Sequence, residues 1–185
     1  MPNVMYKFLK IALIFTVPVV GFSQTIQFSV YVQDELVANQ ESDMDFASVV
    51  AGQGLTQINI GDQGMGVFSV TGNEDLDVIV TLTPPTGNQL TQMTETDVIP
   101  FTLEWAYANH GENNINDAVY VTGNSARFRM KARGSGPPGP PPNPQRSNYT
   151  PKDATAYIYI FGSIDVGNIA PGHYTGTVTL TVEYD

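Results

Sequence analysis

Cysteine is absent from this 185-residue chain. That excludes disulfides as a source of stability, removes thiol chemistry, and rules out a lipid anchor on a cysteine behind the leader. Positive charge is scarce, with 8 Lys and Arg against 18 Asp and Glu. Lys7 and Lys10 belong to a leader-like start, so residues 24–185 hold 6 basic and 18 acidic side chains, a formal charge of −12. Such a surface repels phosphate backbones and anionic lipid, so neither nucleic acid nor a membrane surface is expected as a partner. No segment of ten or more residues has helical periodicity with caps. The longest apolar run, Ile11 to Val20, is too short to span a bilayer core.

That run follows two lysines and precedes the small residues Gly21 and Ser23, the pattern of a cleaved secretory signal over residues 1–23. No stable membrane span is expected after its removal. Residues 24–185 then form one domain, large enough for a single hydrophobic core. The expected location is extracellular or at the cell surface, with the periplasm as the alternative.

What is present is period-two alternation. Val178, Leu180, Val182 and Tyr184 share one face of the last stretch, and Thr177, Thr179, Thr181 and Glu183 share the other. This strand reads as the organising one, paired within the fold. Ile26, Phe28, Val30 and Val32 alternate in the same way over residues 25–32, and a polar acidic linker follows from Asp34 to Asp45. Met44, Phe46, Val49 and Val50 make a short apolar patch. Thr56–Ile60 and Met65–Thr71 flank Gly61-Asp62-Gln63-Gly64, which predicts two neighbouring antiparallel strands. Leu76–Leu82 is a strand stopped by Pro84 and Pro85. Ile99–Tyr107 sets Phe101, Leu103, Trp105 and Tyr107 on one face. Ala118–Val121 and Ala126–Lys131 follow, and Ala154–Gly162 is apolar on both faces, like a central strand, with Ser163–Val166 continuing it. The chain is therefore expected to be all-β, an immunoglobulin-like or pilin-like β-sandwich of roughly seven to nine strands. Residues 134–150 are rich in proline and glycine and read as a long loop without a collagen repeat. Asn148-Tyr149-Thr150 within it matches a glycan acceptor pattern.

Chemistry-bearing patterns are sparse. His110 and His173 lack the close spacing of a metal pair or of a nucleophile and its base. Asp43 with Asp45, Glu74-Asp75 with Asp77, and the amide-rich Asn113–Asp117 stretch are the candidate calcium donors, yet none matches a twelve-residue calcium loop. Trp105 reads as a core residue, with an exposed sugar platform as the alternative. Arg127, Arg129 and Lys131 make a local positive stripe, read as a solvated strand face. No catalytic, cofactor-binding or metal-ligating residue is assigned, and no enzyme activity or cofactor is expected.

Met44-Asp45-Phe46-Ala47, Gly64–Gly72, Ile160-Phe161-Gly162-Ser163-Ile164 and Pro171–Gly176 before a terminal Val-x-Tyr carry a resemblance. Together with the signal, they resemble an uncharacterised family of secreted bacterial β proteins, a neighbour of the spore coat protein U and fimbrial subunit groups. Ala47 stands where that family usually has glycine, and the proline-rich insertion departs from it. The resemblance implies a pilin-like sandwich and a structural role in a surface or appendage assembly. In such an assembly residues 25–32 would complete a neighbouring copy's sheet. The same strand pairing within its own domain is the other expectation. A monomeric secreted adhesion or ligand-binding module, with a structural calcium ion, is the alternative function.

Overall fold

The computed structural model describes residues 35–92, 96–132 and 152–185. The expected signal, the strand at 25–32, the loop at 134–150 and its glycan acceptor lie outside these residues.

Ten strands are described: β1 (Val37–Ser42), β2 (Gly54–Ile58), β3 (Gly66–Asn73), β4 (Asp77–Thr83), β5 (Gln89–Thr91), β6 (Val98–Ala108), β7 (Val119–Val121), β8 (Ser125–Arg129), β9 (Asp153–Val166) and β10 (Thr179–Tyr184). Every pairing is antiparallel. A seven-stranded sheet runs β1-β3-β9-β6-β5, with β2 also on β9 and β7 also on β6. A three-stranded sheet runs β10-β4-β8. The protein is an all-β sandwich, as the alternation predicts. Its strands outnumber the expected seven to nine because β1 and β5 leave no alternating signature.

The large sheet is built on β9. Its fourteen residues pair with β6 along one edge, from Phe101↔Ile164 to Ala108↔Tyr157. Along the other edge they pair with β3, from Gly66↔Ile160 to Asn73↔Asp153, and with β2, from Gly54↔Val166 to Ile58↔Gly162. This corrects the expectation for the two strands around Gly61. They are not neighbours; they lie end to end on one edge of β9, running the same way. The Asp62 N–H donates to the Asn59 carbonyl at 3.1 Å and the Met65 N–H to the Asp62 carbonyl at 3.1 Å, while the Asp62 carboxylate accepts from the Asn59 N–H at 2.6 Å. Two tight turns in succession bulge the chain outward and return it to its original direction, and β9, about 46 Å long, templates both pieces.

The faces of β9 explain its composition. Ala154, Ala156, Ile158 and Ile160 point into the sandwich with Val70 and Trp105, against Val78, Val80, Leu82 and Phe128 of the small sheet. Tyr159 and Phe161 point the other way, where Phe46, Ile60 and Met65 from the loops cover them with Ile58 and Ala106. A third cluster, Ile99, Phe101, Ile164 and Val166, closes the far end with Phe46, Val49, Leu90 and Val178. Full burial of each such aliphatic side chain stabilises the fold by about 1.5–3 kcal/mol. At Gly162 (φ +138°) an added Cβ would run into the Thr102 carbonyl on β6, so glycine is required there.

Two further expectations change. The acidic stretch read as a linker contains β1, which pairs with the edge of β3 from Val37↔Thr71 to Ser42↔Val67. All six of its residues are exposed, so no face imposes alternation on them. The last strand is paired, as expected, with β4 from Thr179↔Thr83 to Tyr184↔Val78. It is not the organiser of the fold. Among the described residues it lies at an edge of the smaller sheet.

Candidate functional site

Alternation places Val178, Leu180, Val182 and Tyr184 on the sandwich-facing side of β10, where all four are half-buried against the main core. Half-burial follows from position. β4 flanks β10 on one edge, and among the described residues no strand pairs with the other. Across from β10, the large sheet ends in β1. A groove thus runs between the β1–β3 edge of one sheet and the β10 edge of the other.

The two ends of this groove differ. At the end where the Gly176–Val178 segment leads into β10, a cavity of about 220 Å³ opens, lined by polar Gln40, Ser42 and Asp43 as well as Met44, Phe68 and Val178, among others. At the other end the sheets are stapled together. The Asn73 N–H of β3 donates to the Tyr184 hydroxyl at 2.9 Å, across the sandwich. Gly72 makes room for this staple, because a Cβ there would lie 2.5 Å from Leu36 Cδ2 and 2.8 Å from the Tyr184 hydroxyl. Leu36, which immediately precedes β1, therefore sits beside the C-terminal end of β10. The Asn73 side chain is buried with its amide nitrogen and oxygen unpartnered.

Next to the staple lies an ion-pair network. Arg127 bridges Asp77 at 2.9 Å and Asp185 at 2.6 Å, and Arg129 holds the other Asp77 oxygen at 3.1 Å. The Arg129 hydrogen bond, helped by Arg127 and opposed by partial desolvation, holds the Asp77 carboxyl below its ordinary value of 3.8. The positive stripe expected on β8 is thus engaged with β4 and β10, clamping the three strands of the small sheet together. Lys131 reaches His110 at 3.4 Å instead.

The other sequence candidates are dispersed. Trp105 is 2% exposed between the sheets and its indole N–H donates to the Gly123 carbonyl at 2.7 Å, which removes it as a sugar platform. Asp43 takes a hydrogen bond from Gln40, and Asp45 accepts from the Ala47 N–H at 2.8 Å. Asp75 occupies a left-handed turn position (φ 66°), and Asp77 is bound by the two arginines. Asn114 caps the short 3-10 turn at Ile115–Asp117 and bonds Asp117, while Asn113 accepts from the Tyr159 hydroxyl at 2.9 Å. Among the described residues no three His, Asp or Glu side chains come together as a metal site. His173 lies near the end of the Gly167–Gly176 connection, remote in sequence from His110. Burial, with Tyr157 nearby, pushes the Tyr159 phenol up to about 12. Among the described residues no helix is long and apolar enough to cross a membrane.

The sequence showed the alternating residues of β10 but not the groove beside them. The groove depends on β1, a strand without a burial pattern. Comparison with family models, with curated proteins and with solved structures finds no match to this chain.

Proposed function

We propose that this chain is a structural subunit of a bacterial cell-surface or extracellular assembly, fimbria-, filament- or coat-like, whose copies are joined by strand pairing. The observation supporting this reading is the β10 edge, an alternating strand with one described neighbour, bordering a groove with a cavity of mixed polar and apolar lining at one end. An edge of that kind suits a further extended segment, whose backbone can pair along it while its alternate side chains enter the groove. Residues 25–32 have the matching period, with Ile26, Phe28, Val30 and Val32 on one face. The resemblance to secreted bacterial β proteins neighbouring the fimbrial subunit group suggests the same role.

The test is the native mass of residues 24–185, by light scattering after size exclusion over rising protein concentration, beside a form lacking residues 25–32. This reading expects multimers that grow with concentration for the full chain and none for the shortened one. A full chain that stays monomeric throughout would overturn it. The second reading, a monomeric adhesion or ligand-binding module, draws on Tyr120, which is 64% exposed next to exposed Val119 and Ile115, beside the Asn113–Asp117 stretch. Its ring packs edge-on against Phe161 at 5.8 Å and leaves a face open to a sugar or aromatic ligand.

A further inference from the structure

We infer that the cavity where the chain enters β10 is a binding site for a small organic cation, a primary ammonium carried on an apolar body. This goes beyond the assembly reading and does not depend on it. The cavity has two chemically different parts. Its floor is Met44, Phe68, Ile160 and Val178, which belong to or pack against the main core. Its rim is Gln40 and Ser42 of β1 with Asp43 just beyond. The pairing of β1 slips by one residue there, from Gln40↔Phe68 to Ser42↔Val67. Such a slip re-aims side chains, and the successive residues Ser42 and Asp43 both line the cavity.

Size and charge fix the class. At about 220 Å³ the cavity exceeds the roughly 150 Å³ that suffices to hold benzene, so it admits one ring or a short branched chain. Phe68 and the Met44 sulfur favour an aromatic body. The rim offers acceptors. The Gln40 amide nitrogen donates to one Asp43 carboxylate oxygen, which leaves the Gln40 oxygen and the second Asp43 oxygen to accept. The Ser42 hydroxyl gives its proton to the Met65 carbonyl at 3.1 Å, so its oxygen also serves as an acceptor. An ammonium matches these with three N–H donors and a positive charge. Among the described residues the chain brings no cation of its own to this rim. Arg127 and Arg129 are held by Asp77 and Asp185, and Lys131 lies against His110. Lys152, just before β9, lies about 26 Å along the strand from Ile160.

Benzylammonium and benzyl alcohol, titrated into residues 24–185 at constant ionic strength and followed by NMR, test the inference. The two probes share a ring and differ in charge. The expected result is saturable shifts of the Ser42–Met44 and Thr177–Val178 amides and of the Met44, Ile160 and Val178 methyls. Benzylammonium should bind about threefold more tightly than the alcohol, the scale of an exposed ion pair. Asp43→Asn, on the exposed rim, should remove that preference and leave benzyl alcohol binding unchanged. Val178→Phe, which fills the cavity, should abolish binding of both probes. Benzyl alcohol bound as tightly as benzylammonium, or a preference that survives Asp43→Asn, would overturn the cation as ligand. Shifts that never saturate, or that saturate only at other residues, would overturn the cavity as the site.

Discussion

β9 and β10 are both apolar-rich strands, yet they occupy opposite roles. β9 has neighbours along both edges and apolar cover on both faces, so its residues show no alternation from Tyr157 through Phe161. β10 alternates strictly and has one described neighbour. The difference teaches how to read a sandwich sequence. Clean alternation marks a strand with one wet face, which suits an edge of a thin sheet. Continuous apolarity marks the strand on which the rest is built.

Substitutions break this comparison most severely at β9. Gly162→Ala places a Cβ against the Thr102 backbone at φ +138°. Strain and overpacking together are expected to cost about 3–5 kcal/mol in chemical denaturation, enough to leave little folded protein. The β10 counterpart is milder. Tyr184→Phe removes the acceptor for the Asn73 N–H and should cost about 1 kcal/mol. A loss there as large as that at Gly162 would show that the staple, not β9, holds the sandwich together.

Titration separates the two strands as well. The Tyr159 phenol of β9 keeps its proton up to about 12, whereas in the unfolded chain it loses it near 10.0. Between those values the unfolded state binds fewer protons, so stability is unchanged below pH 10 and falls as pH rises from 10 toward 12. Tyr159→Phe should flatten that alkaline fall. At the β10 side the sign is reversed. Asp77 is held below 3.8, so its contribution is present above that value and is lost as pH falls through the lowered one. The pair is partly exposed, and Asp77→Asn should change stability at neutral pH by only about 0.5 kcal/mol. Urea midpoints across pH 2–4 would show the mutant as less acid-sensitive than the parent.

Much of the fold was legible because burial imprints periodicity. Val78, Val80 and Leu82 on β4, the Phe101–Tyr107 stripe on β6 and the doubly apolar β9 each carried their environment in sequence. β1 was not legible, since six exposed residues have no face to satisfy and their strand state comes from hydrogen bonding to β3. The collinear β2 and β3 were misread because a Gly-rich link looks the same whether it reverses the chain or bulges and resumes. The groove was illegible for a compound reason. It requires β1, the Gly72 gap and the reach of Tyr184, which are 37 to 184 residues along the chain and meet only in three dimensions.

The account turns on the proposal that copies of the chain are joined by strand pairing, and the native mass of residues 24–185 with and without residues 25–32 tests that most directly. The prediction is a chain that is monomeric when dilute and forms multimers on concentration, with no multimers once residues 25–32 are removed. Multimers that persist unchanged in the shortened chain would contradict it.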